Sequence, residues 1–164
     1  MAQGDFTIFN SFLEKLGDGV LAPLSTEEIR LGLVGTGAPT PTQTTADPRW
    51  GAQGTTDLST QKLATGGNYT NSAGIDLTVT ITDPWTITGA QAKLDLDDVS
   101  IDQSATNPAT KAYWGILYID DAGTPPDRYC IGYIDLDTGT GVDLRAGDFT
   151  IQWDTGGVFT MTKT

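Results

Sequence analysis

The chain has 164 residues, 38% of them hydrophobic and only 18% charged, with 20 Gly and 8 Pro. One domain is the expectation, because a chain of this order buries roughly two thirds of its unfolded surface without help from metal or disulfide. The absence of His and the single Cys exclude a Ser-His-Asp triad, a Cys-His dyad, a His-ligated metal and an internal disulfide, and a net charge of −12 repels phosphate, which argues against nucleic acid or an anionic membrane surface as partner.

Phe6, Phe9, Leu13 and Leu16 stand at helical spacing, with Asp5 to cap and Gly17 or Gly19 to end the run, so residues 1–18 are expected as an N-terminal helix or arm. Phe6, Phe9 and Phe12 make this element adhesive. Two destinations stay open for it: its own core or the surface of a neighbour. Residues 19–164 are expected as a single β domain, since the 27 Thr and the Gly-rich turns favour short strands. Residues 19–23 could form a short edge strand. Residues 28–34 alternate Ile29, Leu31 and Leu33 with Glu28, Arg30 and Gly32, the pattern of a strand with one wet face.

Residues 35–54 form a long Thr/Pro/Gly segment without apolar periodicity, and loops of that length inside a domain are commonly functional. Trp50 either pins this loop to the core or reaches a partner. Residues 58–63 suit a helical turn. Residues 75–81 are the clearest amphipathic strand, and residues 86–96 supply one or two more. Residues 112–119 and 129–136 are apolar on both faces, which places them centrally, with Cys130 as a small buried hydrophobe. Phe149, Ile151 and Trp153 alternate, and the Gly-rich turn after them suggests a hairpin with residues 158–162. The fold class expected is therefore mainly β, an antiparallel β-sandwich or jelly roll with a short N-terminal helix. The pentapeptide Gly-Asp-Phe-Thr-Ile occurs at residues 4–8 and again at 147–151, in contexts too different to read as a repeat.

Acidic residues gather at Asp95, Asp97, Asp98 and Asp102, at Asp120, Asp121 and Asp127, and at Asp135 and Asp137. Calcium-loop spacing is absent, so these read as solvated, edge-protecting charge and no metal or cofactor is expected. All three Glu lie within the first thirty residues, away from Trp50, Trp85, Trp114 and Trp153, which leaves a glycosidase pair without support. No catalytic residue is assigned. No apolar run reaches the length of a membrane span, and residues 1–10 lack the basic and long apolar regions of a secretory signal, so neither export nor an anchor is expected.

Several segments carry a resemblance: Gly4-Asp5-Phe6-Thr7-Ile8-Phe9-Asn10, Thr45-Ala46-Asp47-Pro48-Arg49-Trp50-Gly51, Gly66-Gly67-Asn68-Tyr69-Thr70, Asp97-Asp98-Val99, Tyr113-Trp114-Gly115-Ile116-Leu117-Tyr118 and Gly157-Val158-Phe159-Thr160. In that order the chain resembles small virion proteins of tailed bacteriophages, of the capsid decoration (cement) kind. The resemblance implies a structural component without enzymatic activity, located in the virion and assembled in the bacterial host cytoplasm. It implies the major capsid protein or other virion proteins as partners, with self-association in symmetric copies. Phe6, Phe9, Phe12 and Trp50 are the expected partner-binding residues on grounds of apolarity alone. A tail, head-tail or head-fibre component is the alternative, and a carbohydrate-binding module using Trp50 and Trp85 is the alternative of another class.

Overall fold

A strand that is apolar on both faces must be covered on both, and the two such stretches of this chain lie side by side at the centre of a sheet. The computed structural model describes residues 4–21, 28–71, 77–78, 85–88, 91–120, 127–137, 139–154 and 157–162. Its strands are β1 (Phe6–Ile8), β2 (Glu28–Val34), β3 (Pro48–Arg49), β4 (Thr56–Asp57), β5 (Leu77–Thr78), β6 (Trp85–Thr88), β7 (Gln91–Leu94), β8 (Val99–Ile101), β9 (Trp114–Asp120), β10 (Cys130–Asp135), β11 (Phe149–Ile151) and β12 (Phe159–Thr162). One helix, α1 (Asn10–Gly17), and a 3₁₀ turn at Leu58–Gln61 complete the described elements. The protein is mainly β with a single short helix. The largest sheet runs β1-β10-β9-β2-β5, every pair antiparallel. Smaller sheets pair β11 with β8 and β12 with β7 and β6, while β3 and β4 form a short parallel pair.

Five residues of β9 and all six of β10 are buried, as expected for central strands. Cys130 is 2% exposed in that core. Burial pushes its thiol well above the ordinary range, with the Arg49 charge pulling partly the other way.

Four sequence expectations need correction. The helix does not start at Phe6: residues 6–8 are an edge strand on β10, Phe6 opposite Ile134 and Ile8 opposite Gly132. A free edge of the sheet outcompetes the first helical turn, and Phe9, in extended conformation, precedes the helix without any side-chain cap. The arm is thus woven into the domain. Next, β2 has no wet face. Six of its seven residues are buried, because Gly32 lies under the Trp50 ring and Arg30 is neutralised in place. Third, β11 and β12 do not pair with each other. The turn between them closes as expected, Gly157 N–H donating to Asp154 C=O at 2.7 Å with Gly157 at φ +85°, but β11 joins β8 and β12 joins β7. Finally, of the edge strand expected at 19–23, residues 19–21 are not strand, and 22–23 lie outside the described residues. Of the strand expected at 75–81 only Leu77–Thr78 falls among the described residues, and the rest of it lies outside them.

Candidate functional site

The four residues expected to meet a partner are placed mostly inside. Phe9 is 0%, Phe12 1% and Trp50 1% exposed. A fully covered ring offers no surface to a neighbour, so these three are corrected to core residues; Phe6 is half-buried. Phe9 packs on Tyr133 of β10, ring centroids 5.2 Å apart, and Phe6 meets Trp153 edge-on at 6.1 Å. Trp50 stacks on Tyr118 of β9 at 4.9 Å with the planes 8° apart. A Cβ on Gly32 would stand 2.2 Å from the Trp50 ring, so only glycine at that β2 position admits the stack.

The segment that carries Trp50 is fixed by charge. Arg49, 5% exposed, donates to Asp47, pairs with Asp127 and lies over the Tyr129 ring, 3.4 Å from its centroid. Lys15 of α1 reaches the same cluster, 3.7 Å from Asp47 and 5.0 Å from the Tyr129 centroid. The two elements that sequence assigned to partners, the N-terminal helix and the long loop, therefore meet each other on the sheet. The loop is closed by Asp57, whose Oδ1 accepts from Gly51 N–H at 3.1 Å and from Ser59 N–H at 2.8 Å. Asp47 occupies the left-handed region at φ 38°, a conformation that Asp tolerates better than most residues.

Asp120, its side chain 9% exposed, pairs with the Arg30 guanidinium, Nε to Oδ2 2.7 Å, and accepts a hydrogen bond from Arg128 Nε at 2.6 Å. Asp120 and Asp135, 4% exposed, thus correct the expectation that the acidic groups are all solvated. Asp97 and Asp98 are exposed and serve as acceptors, the Asp97 carbonyl for Trp153 Nε1 at 3.0 Å and Asp98 Oδ1 for Trp153 N–H at 3.1 Å. Asp121 lies outside the described residues. The fourth arginine, Arg145, donates to the Asn107 carbonyl at 2.7 Å. All four arginines of the chain are engaged in internal contacts.

Sequence reasoning missed a second framework centre, Asn107, which is 0% exposed. Its Oδ1 accepts from Asn68 N–H at 2.7 Å, and its Nδ2 donates to the carbonyls of Asp102 at 3.0 Å and Leu144 at 2.8 Å. Three loops hang on that amide. An Asn followed by Pro inside a polar stretch carries no periodic signal, so nothing in the pattern marked it. Also missed were the apolar side chains that do face out, Leu13 at 44% and Val20 at 56% exposed. Trp50 is removed from any sugar-stacking role by its burial, and only the backbone pairing of Trp85 with Leu94 is described.

Among the described residues, two surface concavities stand out. One of 390 Å³ is lined by Gly4, Asp135, Leu136, Val142 and residues 148–152. The other, of 340 Å³, lies between the segment 35–40 and the start of β9 at Tyr113 and Trp114. Among the described residues, no three carboxylate or thiol groups converge to hold a metal ion, and no helix is long and apolar enough to cross a membrane. Comparison with known proteins finds no matching family, no matching curated protein and no matching solved structure.

Proposed function

We propose that this chain is a structural component of a tailed-phage virion, a capsid decoration protein that binds the major capsid protein and stabilises the head. The observation that carries the reading is where the segments resembling phage virion proteins fall. Residues 4–10 form β1 and lead into α1, and Asp47 to Trp50 form the charged clamp. Gly66 to Tyr69 is the turn held by Asn107, and Trp114 to Tyr118 lies in central β9. These segments are framework joints. A chain of net charge −12 whose four arginines are engaged internally suits an outer particle component, which gains by not sticking to nucleic acid.

With Phe9, Phe12 and Trp50 internal, the docking surface moves to the outward side of the N-terminal region, at Leu13 and Val20. Two apolar side chains make a weak contact by themselves. Many symmetric copies on one particle convert weak contacts into firm attachment. The test is quantitative mass spectrometry of purified particles, together with rebinding of the chain to heads that lack it. Hundreds of copies per particle, and rebinding lost in the double variant Leu13→Glu, Val20→Glu with melting unchanged, are the expected results. A few copies per particle would instead support the tail or head-tail reading, and absence from the particle would end both.

A further inference from the structure

The 340 Å³ concavity is bounded by Gly35, Thr36, Gly37, Thr40, Tyr113 and Trp114. Thr36 and Thr40 are exposed, while Tyr113 and Trp114 are half-buried. None of its lining residues carries a charge. That is unusual on a chain whose net charge is −12. An anion is repelled by the surrounding field, and a cation finds no carboxylate in the lining to hold it. The lining instead combines aromatic surface, which accepts the C–H faces of a ring, with threonine hydroxyls, which both donate and accept hydrogen bonds. Its volume falls at the small end of ligand pockets.

The rim is fixed before any ligand arrives. Pro39 and Pro41 lock their own φ angles, and Pro41 is buried. Thr45 N–H donates to the Thr42 carbonyl at 2.9 Å and Thr42 N–H to Thr45 Oγ1 at 2.9 Å, while the Gln43 carbonyl accepts from Asn10 N–H at 3.0 Å. On the other wall the Trp114 ring is steadied by an edge contact with Tyr133, centroids 5.9 Å apart. A site held still on both walls loses little freedom on binding.

We propose that this concavity is a binding site for a neutral saccharide unit, its ring lying on Trp114 and its hydroxyls meeting Thr36 and Thr40. A proline-rich peptide also favours aromatic grooves, but it has few groups for a wall of hydroxyls to bond. The site goes beyond the virion reading and does not rest on it. The experiment titrates the intact chain with glucose, galactose, N-acetylglucosamine and their disaccharides, following the indole N–H of Trp114 by NMR. A saturable shift of that signal with at least one sugar is expected, and Thr40→Val weakens it about tenfold with melting unchanged. Thr40 lies on the exposed rim, so this variant keeps the result readable even where Trp114→Ala disturbs the sheet. No saturable shift with any sugar of the panel overturns the proposal. So does binding that ignores Thr40→Val, or displacement of the Trp114 signal by a proline-rich peptide alone.

Discussion

Residues 47–57, two short paired strands and the turn between them, and residues 102–107, which hold neither helix nor strand, are fixed in opposite ways. The first stretch is clamped by charge: Arg49 between Asp47 and Asp127 with Tyr129 beneath, and the Trp50 ring pressed onto Tyr118. The second is latched by one neutral amide, Asn107, bonded to three backbone groups from three loops. Exposure separates their worth. The carboxylates of the charged clamp are 35% and 39% exposed, so water shares their ion pairs and salt screens them. Asn107 is 0% exposed, so its bonds are neither shared with water nor screened by salt in the folded chain. In a chain short of charge, neutral hydrogen bonding therefore fixes loops more firmly than ion pairing does, and the charged clamp owes most of its strength to the tryptophan beside it.

The largest effect expected from that contrast is Trp50→Ala, which empties the space over Gly32 and Tyr118 and costs about 3–5 kcal/mol in denaturant unfolding. A loss below about 1 kcal/mol would mean the ring contributes no more than a surface contact. Asn107→Ala comes next. It strands the Asn68 N–H and the carbonyls of Asp102 and Leu144, some of which water reaches once the loops part, for a loss of about 2–4 kcal/mol. Arg49→Met keeps an unbranched apolar stem and removes the guanidinium that lies over Tyr129 together with its bonds to Asp47 and Asp127, so about 1–2 kcal/mol is expected. Salt sharpens the contrast. Repeating the unfolding in about 1 M salt shrinks the Arg49→Met loss and leaves the Asn107→Ala loss unchanged. The reverse pattern would exchange the roles of the two centres.

How far the pattern of residues revealed this arrangement depends on whether periodicity or contact decided each element. The central strands β9 and β10 were legible because runs apolar on both faces admit little else, and the 3₁₀ turn at Leu58–Gln61 falls within the expected helical turn. The repeated pentapeptide is the instructive failure. Read as helix at residues 4–8 and as strand at 147–151, its Phe-Thr-Ile core is a three-residue strand in both places, β1 on β10 and β11 on β8. Local preference was the same twice, and the helical spacing of Phe6 and Phe9 was accidental. Trp50 was undecidable from sequence, because what buries it is Gly32, a residue eighteen positions earlier whose missing side chain leaves no apolar signal. The charged clamp was half legible: Asp-Pro-Arg-Trp stands out in a chain with four arginines, but its partners Tyr129 and Asp127 come from far along the chain. Asn107 and the concavity at Trp114 depend wholly on which loops fold together.

The smallest effect expected belongs to a turn outside both centres. Asp137 sits just after β10 and accepts hydrogen bonds from the Thr140 hydroxyl, from Thr140 N–H at 3.1 Å and from Gly139 N–H at 3.0 Å. These bonds favour the ionised carboxylate, the Thr140 hydroxyl most of all, and hold its pKa below the ordinary value of 3.8. The folded pKa is therefore the lower one. The stabilisation is complete above the unfolded value and is lost as pH falls through the folded one. Because the group is at the surface, the loss is local and should not move global unfolding. NMR titration reads it directly: the amide signals of Gly139 and Thr140 are expected to move together, with a midpoint below that of an Asp in an unstructured peptide. Thr140→Val removes the largest of the three bonds and should raise that midpoint, and Asp137→Asn should flatten the titration. A midpoint at the ordinary carboxylate value in the unmodified chain would show that the turn gains nothing from charge.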